Sequence, residues 1–143
     1  MKIQGIRITE VLSVKLSDIL KEVPNGNFFF WSILFLDGIP NPGRGEFLAE
    51  YKKQINKSEN GLRIDWEDLL SLSSQFYQIF EVIVLGSSDV NLLHRYKNEQ
   101  EMYTTCDIVI DLMDCAFWEI YAKEKNIILR LKKKFPKSEL LGL

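Results

Sequence analysis

The chain is short of the residues that most often carry chemistry, with one histidine, two cysteines and four prolines in 143 residues. A lone histidine, His94, excludes a multi-histidine metal centre and any nuclease mechanism that needs two imidazoles. Cys106 and Cys115 are too few for a disulfide-stapled secreted module. Each lies in or beside an apolar run, where a reduced thiol acts as a small hydrophobe, so a reducing cytoplasm is the expected setting. Long apolar runs are also missing. The longest, Phe28 to Leu36, covers nine positions, includes Ser32 and falls well short of the roughly 20 residues a membrane helix needs. Met1-Lys2-Ile3-Gln4-Gly5 holds no apolar signal core, and Leu140-Leu141-Gly142-Leu143 has no cysteine for a lipid anchor. No membrane contact is expected.

What is present suits one folded domain spanning residues 1–143. Hydrophobic residues make up 46% and charged residues 27%, which excludes wholesale disorder, and a chain of this length buries about 68–70% of its unfolded surface without staples. Apolar periodicity predicts a strand over Lys2 to Ile8. Leu12, Leu16, Ile19, Leu20 and Val23 then share a helical face until Pro24-Asn25-Gly26 stops it. Asn27 to Leu36 reads as a strand covered on both faces. Asp37 to Gly45, with two prolines and three glycines, reads as the longest loop.

Phe47, Leu48, Tyr51 and Ile55 mark a second helix. Asp65 caps a third, with Asp68 in the capping-box position and Trp66, Leu69, Leu70, Phe76, Tyr77 and Phe80 turned inward. Glu81 to Leu85 is a buried strand, followed by a turn and a helical piece from Asp89 to about Lys97. Thr105 to Leu112 and Cys115 to Ala122 form a hairpin around Met113-Asp114. A final helix, Lys123 to Phe135, gathers Lys132, Lys133 and Lys134 at its negative dipole end before Pro136. Helices and strands mix without regular alternation or repeat. The expected fold is therefore α+β, an antiparallel or mixed sheet of about 4–5 strands packed with about 4–5 helices.

Four constellations bear on chemistry. Cys106 or Cys115 with His94 would make a thiol–imidazole dyad, but no thiol-enzyme signature surrounds either cysteine, and core filling explains both. Asp107, Asp111, Asp114 and Glu119 form the densest carboxylate cluster. Such a cluster could hold Mg²⁺ or Mn²⁺ for hydrolysis of phosphorylated or nucleic-acid substrates, or serve as the wet face of a hairpin. The glycine-rich loop ends in Gly45-Glu46 where a P-loop has Gly-Lys-Ser/Thr, and the glutamate repels phosphate. The aromatic run Phe28-Phe29-Phe30-Trp31, with Phe117, Trp118 and Tyr121, lacks the basic groove that base stacking requires, so core packing is its expected role and no direct nucleic-acid contact is expected. No cofactor is implied.

Charge is unevenly spread. The chain as a whole carries −2, but between residues 64 and 119 only Arg95 and Lys97 oppose eleven carboxylates, a local balance of −9. A field of that sign suits an encounter with a basic partner. A nuclease, whose cleft must be cationic to hold phosphates, is one such partner. The segment Cys106-Asp107-Ile108-Val109-Ile110-Asp111-Leu112-Met113-Asp114-Cys115-Ala116-Phe117-Trp118-Glu119-Ile120-Tyr121, leading into a lysine-rich amphipathic helix, resembles small bacterial immunity proteins of contact-dependent inhibition and polymorphic toxin systems. That resemblance covers mainly residues 104 to 135. It implies a non-enzymatic cytoplasmic protein that neutralises a cognate toxin domain by binding it. The expected contact residues are Asp65, Glu67, Asp68, Asp89, Asp107, Asp111 and Asp114, with Trp118 or Tyr121 as aromatic anchor. A regulatory adaptor with no toxin partner is the alternative non-enzymatic reading.

Overall fold

A computed structural model describes residues 3–142 and shows an α+β domain built on one antiparallel sheet. The strands are β1 (Ile3–Ile8), β2 (Phe30–Pro40), β3 (Leu62–Ile64), β4 (Phe76–Ser87), β5 (Ile108–Met113), β6 (Phe117–Ala122) and β7 (Glu139–Gly142), in the spatial order β3-β2-β4-β5-β6-β1-β7. The helices are α1 (Leu16–Leu20), α2 (Gly45–Asn56), α3 (Trp66–Ser73), α4 (Glu99–Thr105) and α5 (Lys125–Lys134). Among the described residues, no helix is long and apolar enough to cross a membrane.

Alternation along the strands divides the side chains between two faces. Ile6, Ile8, Trp31, Ile33, Val82, Val84, Ile108, Ile110, Trp118 and Ile120 enter the larger core. Helices bring Leu16, Ile19 and Leu20 of α1, Leu69 and Leu72 of α3, and Ile127, Ile128 and Leu131 of α5 into the same core. The second face is thinly covered. There Leu34, Leu85, Val109 and Tyr121 meet Leu93, Met102 and Cys106 from the segment containing the short helix α4. A bulge in β2 between Ile33 and Phe35, which pair with Val84 and Ile83, sends both Leu34 and Phe35 towards this second side.

Seven strands exceed the expected four or five for identifiable reasons. The first four residues of the loop read over Asp37 to Gly45 are the far end of β2, because Asp37, Gly38, Ile39 and Pro40 all pair with β4. Phe76, Tyr77 and Phe80 extend β4 rather than α3: the helix stops at Ser73, where Ser73 and Ser74 hydroxyls donate to the carbonyls of Leu70 and Ser71. Those side-chain bonds compete with further helical pairing. β3 and β7 are edge strands of three and four residues, too short to show a period. The piece from Asp89 is one 3₁₀ turn, Val90–Leu92, and the true helix begins later, where Asn98 Oδ1 accepts the Gln100 and Glu101 amides.

The β5–β6 hairpin forms as expected, but its turn places Asp114 and Cys115 at φ of 47° and 59°. L-residues other than asparagine and aspartate occupy that left-handed region at a cost. Cys115→Gly should therefore raise unfolding stability by about 0.5–1 kcal/mol in urea titration. Gly26→Ala should do the reverse, by about 1–3 kcal/mol, because a Cβ there would overlap the Trp66 ring.

Candidate functional site

The register brings the start of β2, the end of β4, the start of β5 and the end of β6 to one edge of the molecule: Phe30 pairs with Ser87, Gly86 with Ile108, and Ile108 with Ala122. β3 ends there too, with Ile64 opposite Trp31. The chain enters β2 through Pro24-Asn25-Gly26 and a 3₁₀ turn, Gly26–Phe28. Phe28 therefore lies in a turn and Phe30 at a strand end. Both face solvent, 74% and 52% exposed, which corrects the expectation that the aromatic run is all core. Trp31 is the residue that enters the core, and its Nε1 donates to the Gly26 carbonyl at 2.8 Å.

Trp66, the first residue of α3, stacks on Trp31 with ring centroids 5.1 Å apart and lies flat against Gly26. Phe29 meets Trp31 edge-on at 6.0 Å. A hollow of about 540 Å³ opens beside this cluster, with Phe30, Trp66, Asp65 and Glu67 among its walls. A second hollow, of about 420 Å³, also touches Phe29 and is bordered by Phe28, Asp107, Lys123 and Glu124.

Five of the acidic residues expected at a contact surface gather at this end. Asp65 caps α3, its Oδ1 accepting the Asp68 amide at 2.8 Å, and Glu67 and Asp68 are exposed in the first turn. Asp89 accepts the Asn91 amide, and Asp107 Oδ2 accepts both the amide and the hydroxyl of Ser88. Each cap uses one oxygen locally. Asp114 sits at the opposite end, in the hairpin turn.

Three expected contact residues do not face solvent. Trp118 is 1% exposed and donates from Nε1 to the Val14 carbonyl inside the larger core. Tyr121 is buried beneath α4, its ring stacked on Tyr103 at 4.0 Å. Asp111 is 3% exposed and stands opposite Glu119 on the neighbouring strand. Alternation explains all three, since each lies within a central strand whose two faces are both covered. Phe28, Phe30, Trp66 and Glu124 were missed. The turn residues before Phe28 and the helix cap before Trp66 were the available signals that these aromatics sit at element ends.

Asp111 belongs to a built network on the second face. Its Oδ2 accepts the Tyr103 hydroxyl at 3.0 Å, while Oδ1 has no hydrogen-bond partner among the described residues. Glu119 is fully engaged: Oε1 accepts from Tyr121 at 2.9 Å, and Oε2 accepts from Arg7 Nε at 2.8 Å and from Arg7 Nη2. The Arg7 guanidinium also lies 4.4 Å from the Phe117 ring centre. Burial raises the Asp111 carboxyl to about 6; Tyr103's hydrogen bond pulls it down, and Glu99, Glu119 and Glu81 push it further up. Burial, followed by Asp111, raises the Tyr103 phenol, and burial, followed by Glu119, raises that of Tyr121.

Neither hollow reaches this network, and among the described residues no group of three His, Cys, Asp or Glu side chains could hold a metal ion. The thiol–imidazole geometry does not form either. Cys106 is buried with Sγ directed at the Leu92 carbonyl, and burial raises its thiol. His94 stacks on Tyr96 with Nδ1 at the Arg95 carbonyl, and Cys115 lies in the hairpin turn. No known protein family, curated protein or solved structure matches the chain.

The Asp111 shift has a definite sign. The folded carboxyl holds its proton more tightly than the unfolded one, whose ordinary value is 3.8, so ionisation opposes folding. The stability contributed by the protonated form is lost as pH rises through about 6. Asp111→Asn should therefore raise the unfolding free energy measured by urea titration at about pH 7.5, by on the order of 2–3 kcal/mol, with the gain narrowing towards about pH 4.

Proposed function

We propose that this protein works by binding, as an immunity-type protein that docks on a basic toxin domain through the Phe28–Phe30 end of its sheet and blocks that domain. The observation that carries this reading is the pairing of two exposed phenylalanines with a carboxylate rim of Asp65, Glu67, Asp107 and Glu124. Burying an exposed aromatic ring contributes roughly 1.5–3 kcal/mol, so two rings can supply the centre of an interface. The rim would steer a cationic partner and reject an anionic one. Two basic residues border the hollows, Arg63, whose Nη2 donates to the Val90 carbonyl at 3.3 Å, and Lys123, against four carboxylates. The resemblance of residues 104 to 135 to immunity proteins supplies the class of partner.

The test is to purify the chain with the toxin domain encoded beside its gene and to measure complex formation and residual toxin activity. A stoichiometric, inhibitory complex is expected. Phe28→Ser with Phe30→Ser should weaken it at least about 100-fold, since two anchors of about 2 kcal/mol are removed. Glu67→Lys should slow association about tenfold at low salt and have less effect at high salt. These residues are exposed, so circular dichroism and melting should stay close to those of the unsubstituted protein. No complex, or unchanged affinity in both variants, overturns the reading.

A further inference from the structure

We propose that the hollow beside Trp66 receives an arginine side chain of the bound partner, its guanidinium lying against the indole and paired with Glu67 and the outer oxygen of Asp65. The inference rests on the binding role proposed above and names the chemistry of its main contact.

The aromatic wall is set before any ligand arrives. Trp31 is buried and tied to the Gly26 carbonyl, Trp66 is stacked on Trp31, and Gly26 leaves no room for Trp66 to tilt inward. Phe30 closes the other side while remaining half-exposed. A cation over an aromatic face is attracted by the ring quadrupole, most strongly for tryptophan. A wall already in place spends little ordering entropy on capture.

Charge selects the occupant. Glu67 is exposed and makes no ion pair among the described residues. Asp65 uses Oδ1 for the Asp68 amide and retains Oδ2. Arg63 also borders the hollow, its Nη2 held by the Val90 carbonyl, so two carboxylates stand against one cation and the rim keeps a negative balance. An anion would meet these carboxylates at a helix terminus whose Asp68 amide is already taken by Asp65. A purely apolar side chain would leave the carboxylates without a counter-charge as water is excluded. Arginine fits better than lysine because its planar guanidinium can stack on an indole and engage carboxylates bidentately, and it is less strongly hydrated.

The probe is the peptide acetyl-Gly-Arg-Gly-amide, compared with its citrulline and leucine counterparts and followed through the indole N–H signals in ¹⁵N-edited NMR. The Trp66 signal should shift saturably with the arginine peptide. The Trp118 signal, whose N–H is held by the Val14 carbonyl away from the hollow, should stay in place and report an intact fold. Glu67→Gln should weaken the response about three- to tenfold, and citrulline, isosteric but uncharged, by about tenfold or more. Equal response to the citrulline or leucine peptide, or none from Trp66 with arginine, overturns the inference. A partner complex that forms and tolerates alanine at each partner arginine also overturns it while leaving the binding role standing. A saturable arginine response without any partner complex supports the hollow and overturns the binding role.

Discussion

This fold depends on the alternation of side chains along an antiparallel sheet, interrupted where β2 bulges. Pairing Ile110 with Ile120 and Asp111 with Glu119 determines at once which residues enter the thick core and which lie under the thin cover. A slip of one residue would place Asp111 between Val84 and Ile120 in the larger core. The apolar set Ile108, Ile110, Leu112, Trp118, Ile120 and Ala122 therefore holds the register, and the polar set on the reverse side inherits its positions from it.

The proposed contact surface follows from the same sheet at its edge. Strands end there, so alternation no longer forces every aromatic inward. Gly26 permits Trp66 to lie flat, Trp66 stacks on Trp31, and Trp31 ties the first strand residues to the core. Phe28 and Phe30 are left outside because the turn that feeds β2 has no layer above it. The acidic residues nearby have local reasons to exist, since Asp65, Asp89 and Asp107 each cap a turn or helix. A cap engages only part of a carboxylate, and the remainder still sets the field that an incoming molecule meets.

Asp111 is the contrasting case. It lies in a region where β4, β6 and α4 bring Glu81, Glu119 and Glu99 into its field, with one tyrosine hydroxyl to offset them. Glu119 accepts from Arg7 and Tyr121. Two carboxylates facing each other across one strand pair thus differ in what they meet: Asp111 has a single tyrosine hydroxyl, Glu119 an arginine and a tyrosine.

Composition and periodicity alone determined the α+β class, the first strand, the β5–β6 hairpin, the Asp65 cap and the amphipathic α5, because each is a local pattern several residues long. The concentration of negative charge before residue 120 was equally legible as a count. Which carboxylates remain at the surface was not, since burial depends on what crosses above a strand from elsewhere in the chain. The edge strands β3 and β7 were too short to carry a period, and the first part of β4, Phe76 to Phe80, was hidden inside an apolar run that fits helix and strand alike. Only tertiary structure could exchange Trp118 and Tyr121 for Phe28, Phe30 and Trp66 at the surface. Solvent exposure is a property of a residue's neighbours in space, and those neighbours come from segments that the linear pattern does not bring together.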